Sequence, residues 1–128
     1  MILDTSAIVA ISLKEPDHTQ FVEKVVAARR IGVGAPTLIE TGMVLTAKMG
    51  SDARSYLDNF VSQVSAIIIP FDEPHYRVAI DAWMRFGKGN HPAALNFGDC
   101  VSYATARVAR EPLLCKGNDF SATDLTIA

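Results

Sequence analysis

The chain has 128 residues, 49% hydrophobic and 20% charged, with a net charge of −2. That length suits one domain with a real core, and the composition excludes a disordered chain. The near-neutral charge excludes binding to nucleic acid through a dense basic surface, though not through a bound cation, and no apolar run approaches the roughly 18 residues of a membrane span.

In chain order, Met1–Leu3 predicts a short buried strand, and Thr5 to about Leu13 a helix rich in Ala, Ile and Val. Glu15-Pro16-Asp17 breaks that helix. Asp17 is placed to cap a second one, with Gln20 as its capping-box partner and Phe21, Val25 and Ala28 as the buried stripe. Arg29 and Arg30 suit its C-terminus. IGVGA (31–35) predicts a second strand whose glycines imply close packing. Pro36 opens a helix from Thr37 to Met49, stopped by Gly50. Ser51 is placed to cap the next helix, with Tyr56, Leu57, Phe60 and Val64 inward. IIIPF (67–71) predicts a third strand that Pro70 confines to an edge or ends.

A helix is expected from Asp72 to Phe86, with Val78, Ala79, Ala82, Trp83 and Phe86 apolar. GKGNHPAALNFG (87–98) predicts a mobile connection. A further helix runs from Gly98 to Ala109, and Leu113–Cys115 is a fourth strand. The last stretch, GNDFSATDLTIA, predicts a turn, a short helix and a final short strand. Non-alternating apolar strands separated by helices imply βαβ units. The expected fold is a single three-layer α/β/α domain over residues 1–128, with a mainly parallel sheet of four or five strands.

The two cysteines, Cys100 and Cys115, lack CxxC spacing and are expected as reduced thiols. His18, His75 and His91 show no metal-ligand spacing. The N-terminus lacks the basic region and cleavage site of a secretion signal, so a cytoplasmic location is expected.

Open parallel sheets bind ligands beyond the carboxyl ends of their strands. Six acids fall near such ends: Asp4, Glu40, Asp72, Asp99, Asp119 and Asp124. Each has a local explanation. Asp4 could cap the helix at Thr5, and Glu40 could close a capping box with Thr37 in T-L-I-E. Asp99 suits a helix N-terminus, Asp119 an Asx-turn, and Asp124 a last-turn cap. Asp4, Glu40, Asp99 and Asp119 on one rim would repel one another, and a hard divalent cation with oxygen ligands is the economical remedy.

The segments ILDTSA (2–7), IE (39–40), NFGDC (96–100) and GNDF (117–120) resemble the successive acidic motifs of PIN-domain ribonucleases. LNFGDCVSYATA followed by PLLCKGNDFSATDL is similar to VapC toxins of VapBC toxin–antitoxin modules. The resemblance implies an Mg²⁺-dependent endoribonuclease, with Mn²⁺ as substitute, that hydrolyses RNA with a metal-activated water. It implies an acidic set of Asp4, Glu40, Asp99 and Asp119, with Asp4 and Asp99 as direct metal ligands. Thr5, Ser6, Asn118 and Asp124 would supply further pocket polarity. It also implies a homodimer, neutralised by a VapB-like antitoxin through which alone DNA is bound. The family's last motif often carries two acids as D-x-D-F, whereas here Gly117 takes the first place and Asp119 stands alone. Lys88, His91, Lys116, Arg85 and Arg54 are candidates for RNA backbone contacts.

Two other readings compete. A phosphotransfer domain of the haloacid dehalogenase type needs a second Asp where Ser6 stands, and a receiver-like phosphoacceptor would use Asp72 and Lys116 around a lone Asp4. A catalytically inactive binding module would cleave RNA no better than its Asp4→Ala variant.

Overall fold

The computed structural model describes every residue from Met1 to Ala128. Four short strands form its sheet: β1 (Ile2–Leu3), β2 (Gly32–Gly34), β3 (Ile67–Ile69) and β4 (Leu113–Leu114). Their order is β3-β2-β1-β4, and every neighbouring pair is parallel. Six helices connect them: α1 (Thr5–Ser12), α2 (His18–Ala27), α3 (Ala35–Met49), α4 (Arg54–Gln63), α5 (Glu73–Phe86) and α6 (Phe97–Ala109).

The pleat sorts adjacent strand residues onto opposite faces. Leu3, Val33 and Leu114 pack with Ile8, Phe21, Leu45, Leu57 and Phe60, from α1 to α4. Ile2 and Leu113 pack on the other face with Phe86, Leu95, Cys100 and Tyr103, from α5, α6 and the segment between them. β1, β2 and β4 are therefore buried on both sides, which explains their unbroken apolar character, whereas the edge strand β3 leaves Ile67 and Ile68 exposed. Truncating a fully buried leucine such as Leu3 or Leu114 to alanine should cost about 2–5 kcal/mol.

Gly34 marks where α6 crosses the sheet. A Cβ on Gly34 would lie 2.8 Å from Thr105 Oγ1, so glycine permits the close approach that the sequence implies.

Several local expectations are corrected by tertiary contacts. The Asp17 side chain makes no cap bond at α2 and instead takes the Lys116 ammonium at 2.9 Å. The helix α3 begins at Ala35, with Gly34 as N-cap, so Thr37 is already inside it and forms no box with Glu40. The helix α4 starts at Arg54 rather than beside Ser51, and Asp52 bonds the Arg54 backbone and side chain. Leu57 and Phe60 face the core, but Tyr56 is exposed and Val64 only partly buried. β3 stops at Ile69, on the sheet edge, one residue before Pro70.

The segment 87–98 is tied down rather than free. Leu95 N–H donates to Phe86 O at 2.9 Å, Lys88 N–H to Leu95 O at 3.0 Å, and Leu95 itself is fully buried. Burying that one leucine anchors the loop. The C-terminal stretch holds turns rather than a helix, and Ile127 makes a single parallel bridge to Leu113.

Candidate active site

Asp4 follows β1 and is the N-cap of α1. Its N–H donates to Leu114 O at 2.9 Å, continuing the β1–β4 ladder, while its carbonyl accepts from Ile8 N–H at 3.2 Å. The backbone is thus fixed from both sides. The carboxylate is nearly buried and accepts three hydrogen bonds. Ser6 N–H donates to Oδ2 at 2.9 Å, the Ser6 hydroxyl donates to the same oxygen, and Ser102 Oγ donates to Oδ1 at 2.6 Å. Lys116 N–H donates to Ser6 Oγ at 2.9 Å, which ties the end of β4 to the same hydroxyl. The capping reading of Asp4 therefore holds, and only one of its oxygens is used for it.

Glu40 lies a turn and a half into α3. Its carboxylate accepts from Thr5 Oγ1 at 3.1 Å. It lies against Gly98: a Cβ there would be 2.6 Å from Glu40 Oε2. Burial pushes the Glu40 carboxyl above its usual range, the Thr5 hydroxyl works against this, and Asp4 adds to it.

Asp99 is the third residue of α6, in a capping box. Asn96 N–H donates to Asp99 Oδ2 at 2.9 Å and Asp99 N–H donates to Asn96 Oδ1 at 2.9 Å. Burial pushes its carboxyl up to about 6, the Asn96 bond opposes this, and Asp4, Asp119 and Glu40 push it further. Asp119 follows β4 and is exposed. Asp4, Glu40, Asp99 and Asp119 all line one cleft of about 260 Å³, with Thr5, Ser6, Glu15 and Lys116.

No three acids are gathered closely enough to cage an ion with protein ligands alone. What the cleft offers is an open, all-oxygen donor set, in which burial and then the charge of Asp4 raise the proton affinity of Glu40 and Asp99. That suits Mg²⁺, which keeps several waters and takes one or two carboxylates directly.

Other expected site residues lie elsewhere. Asp124 is outside the cleft: Tyr103 OH donates to it at 2.6 Å, and Arg85 and Arg107 reach it at 3.0 and 3.6 Å. Two arginines and a buried phenol outcompete the cleft for this carboxylate. Asn118 does not line the cleft either, and its carbonyl accepts from Ser121. Arg85 is therefore committed to Asp124, and Arg54 to Asp52. His91 packs edge-on against Phe86, and Lys88 borders a separate apolar groove. Of the five basic candidates only Lys116 reaches the cleft, where Glu15 and Asp17 hold its ammonium.

The receiver-like reading loses its acid, because Asp72 caps α5 and pairs with His75 instead of facing Asp4. Cys100 and Cys115 are free, and burial pushes both thiols up to about 11, so both stay protonated.

Ser102 and Gly98 were not legible as site residues. A serine in mid-helix carries no signal beyond mild helix disfavour. The one available hint was their own spacing, four residues apart, which places Gly98 and Ser102 on one face of α6.

The model of the PIN domain matches residues 1–125. The chain is 44% identical over 126 residues to Ribonuclease VapC36 of Mycobacterium tuberculosis, covering 98% of this chain and 91% of that one. The chain belongs to the VapC ribonuclease family of PIN-domain proteins. Ribonuclease VapC28 of the same organism is 41% identical over 124 residues, covering 96% and 93% of the two chains. Ribonuclease VapC of Mycolicibacterium smegmatis is 38% identical over 126 residues, covering 98% and 97%.

Among solved structures, Mycobacterium tuberculosis VapC20, described as a Sarcin-Ricin loop cleaving toxin, superposes with a TM-score of 0.81. The match covers 99% of this chain and 97% of that one, at 17% identity. VapBC2 from Rickettsia felis, bound to a fragment of its promoter DNA, gives 0.74 at 16% identity over 98% and 94% of the chains. At these identities the likeness is one of fold. It matches the expected α/β architecture with its parallel sheet.

Proposed function

We propose that residues 1–128 form one PIN domain acting in the cytoplasm as an Mg²⁺-dependent endoribonuclease toxin of a VapBC module. The observation that carries this reading is the convergence of Asp4, Glu40, Asp99 and Asp119, from four separate parts of the chain, on one cleft.

In this reading Asp4 and Asp99 are the direct ligands of Mg²⁺ or Mn²⁺, and Glu40 and Asp119 complete the pocket. The bound ion would polarise phosphoryl oxygens and lower the pKa of water. Asp4 presents a carboxylate already fixed by three donors, so little reorganisation accompanies binding. Glu40, oriented by Thr5, is positioned to accept a proton from a water entering the cleft. Lys116 is the one basic side chain at the cleft, and an approaching phosphate would have to draw its ammonium from Glu15 and Asp17.

The partners in this reading are RNA, a VapB-like antitoxin and a second copy of the chain, with DNA bound only through the antitoxin. Three relatives are named ribonucleases, and two of the similar structures are toxin–antitoxin assemblies. The homodimer is supported by an apolar stripe on α5, where Tyr76, Ile80, Trp83 and Met84 stay exposed. Phe97 stands beside it, over a groove of about 580 Å³.

Purified protein incubated with RNA and Mg²⁺ should yield 5′-phosphate and 3′-hydroxyl ends. Chelation, Asp4→Ala and Asp99→Ala should each abolish cleavage. A 2′,3′-cyclic phosphate product, or full activity in Asp4→Ala, would refute the reading.

A further inference from the structure

We propose that Ser102 is a positioning residue for Asp4, and that its hydroxyl sets how the first acid of the cleft is presented to a divalent cation. This rests on the metal-dependent reading above.

Ser102 is fully buried in the middle of α6. Buried helical serines commonly return their proton to the carbonyl four residues earlier, as Thr105 does to Val101 at 2.9 Å. Ser102 does not. Its Oγ lies 2.6 Å from Asp4 Oδ1, across 98 residues of sequence. A serine hydroxyl has one proton, and an ionised carboxylate can only accept. The proton of Ser102 is therefore committed to Asp4. Thr37 Oγ1, 3.5 Å away, is left as a donor to Ser102, extending the chain of hydroxyls to α3.

The division of labour on Asp4 follows. Oδ2 is taken by Ser6, within the same N-terminal turn, and that pair alone would serve any helix cap. Oδ1 has no role in capping, and its one partner is Ser102. Because the carboxylate is nearly buried, the capacity left on its oxygens is what it can offer the cleft. A donor on Oδ1 fixes the torsion of the carboxylate and so the direction of that capacity. The same helix carries Asp99, three residues earlier, so α6 supplies one acid directly and aims another. Groups that orient a metal ligand in this way typically alter affinity by about 10- to 100-fold when removed.

The test compares the parent, Ser102→Ala and Ser102→Thr, each stripped with chelator. Mn²⁺ binding is read by the electron paramagnetic resonance of the free ion, and folding by thermal melts in chelator. Ser102→Ala should bind Mn²⁺ about tenfold more weakly, while Ser102→Thr, which keeps the hydroxyl, should bind like the parent. At saturating Mn²⁺ much of the lost cleavage by Ser102→Ala should return. Equal binding by parent and Ser102→Ala would overturn the proposal alone. Equal losses in the alanine and threonine variants would also overturn it, by assigning the effect to packing. A parent that binds no Mn²⁺ would overturn the metal reading and this inference with it.

Discussion

Asp99→Asn separates the catalytic from the structural role of the third acid. In the folded protein burial, with Asp4, Asp119 and Glu40 nearby, raises the Asp99 carboxyl from 3.8 to about 6. The sign follows from linkage. Below about pH 4 the group is protonated in both states and the effect vanishes. Between about pH 4 and 6 the folded state retains a proton that the unfolded chain releases, so stability falls as pH rises. Above that range the whole penalty is present.

Ionising a carboxyl held that far above its ordinary value costs roughly 3 kcal/mol. Asp99 is only partly buried, so solvent screening reduces this to about 1–2 kcal/mol. Asparagine removes the charge yet keeps an oxygen to accept from Asn96 N–H. In chelator near pH 7, Asp99→Asn should therefore melt about 3–8 °C above the parent. Near pH 4 the two should melt together. Mg²⁺ should raise the melting temperature of the parent and scarcely that of the variant. RNA cleavage by the variant should be lost. A lower melting temperature for the variant near pH 7 in chelator would refute the reasoning, because the cap of α6 would then outweigh the repulsion.

Three further outcomes are expected. Gly98→Ala should leave the fold as stable or more so, by up to about 1 kcal/mol in the helix. It should nevertheless impair cleavage, since the new Cβ would lie 2.6 Å from Glu40 Oε2 and force that carboxylate to move, and melts paired with activity assays on the same sample would show the split. Asp124→Ala should cost about 1–3 kcal/mol by stripping the buried Tyr103 hydroxyl of its acceptor. Its RNA cleavage below the melting point should stay at the parent level, and a loss there would put Asp124 back into the site. Ile80→Glu, on the exposed face of α5, should leave melting nearly unchanged while converting dimer to monomer in sedimentation; a parent that is already monomeric would refute the dimer face.

Much of the fold was legible because the relevant signals are local and strong. Strands β1, β2 and β4 are apolar without alternation, as burial on both faces requires, while β3 carries the same pattern on an exposed edge. Gly50 adopts the left-handed conformation that ends α3, and Pro70 follows the last residue of β3. The capping alternatives for three acids failed for one cause. Asp17, Glu40 and Asp124 each sit where a local cap is chemically reasonable, and each is claimed by a partner far along the chain. Lys116 is 99 residues from Asp17, Thr5 is 35 from Glu40, and Arg85 is 39 from Asp124.

By itself the sequence determined the order of strands and helices, the two-faced core, and which acids follow strands β1 and β4 or lie early in α3 and α6. These depend on periodicity, turn chemistry and motif spacing, all written within short windows. Only the tertiary structure decided which acids meet. It brought Glu40 against Gly98, withdrew Asp124 to two arginines, and set Ser102 on Asp4. The physical reason is that a carboxylate takes the strongest donors within reach, and reach is a property of the folded chain.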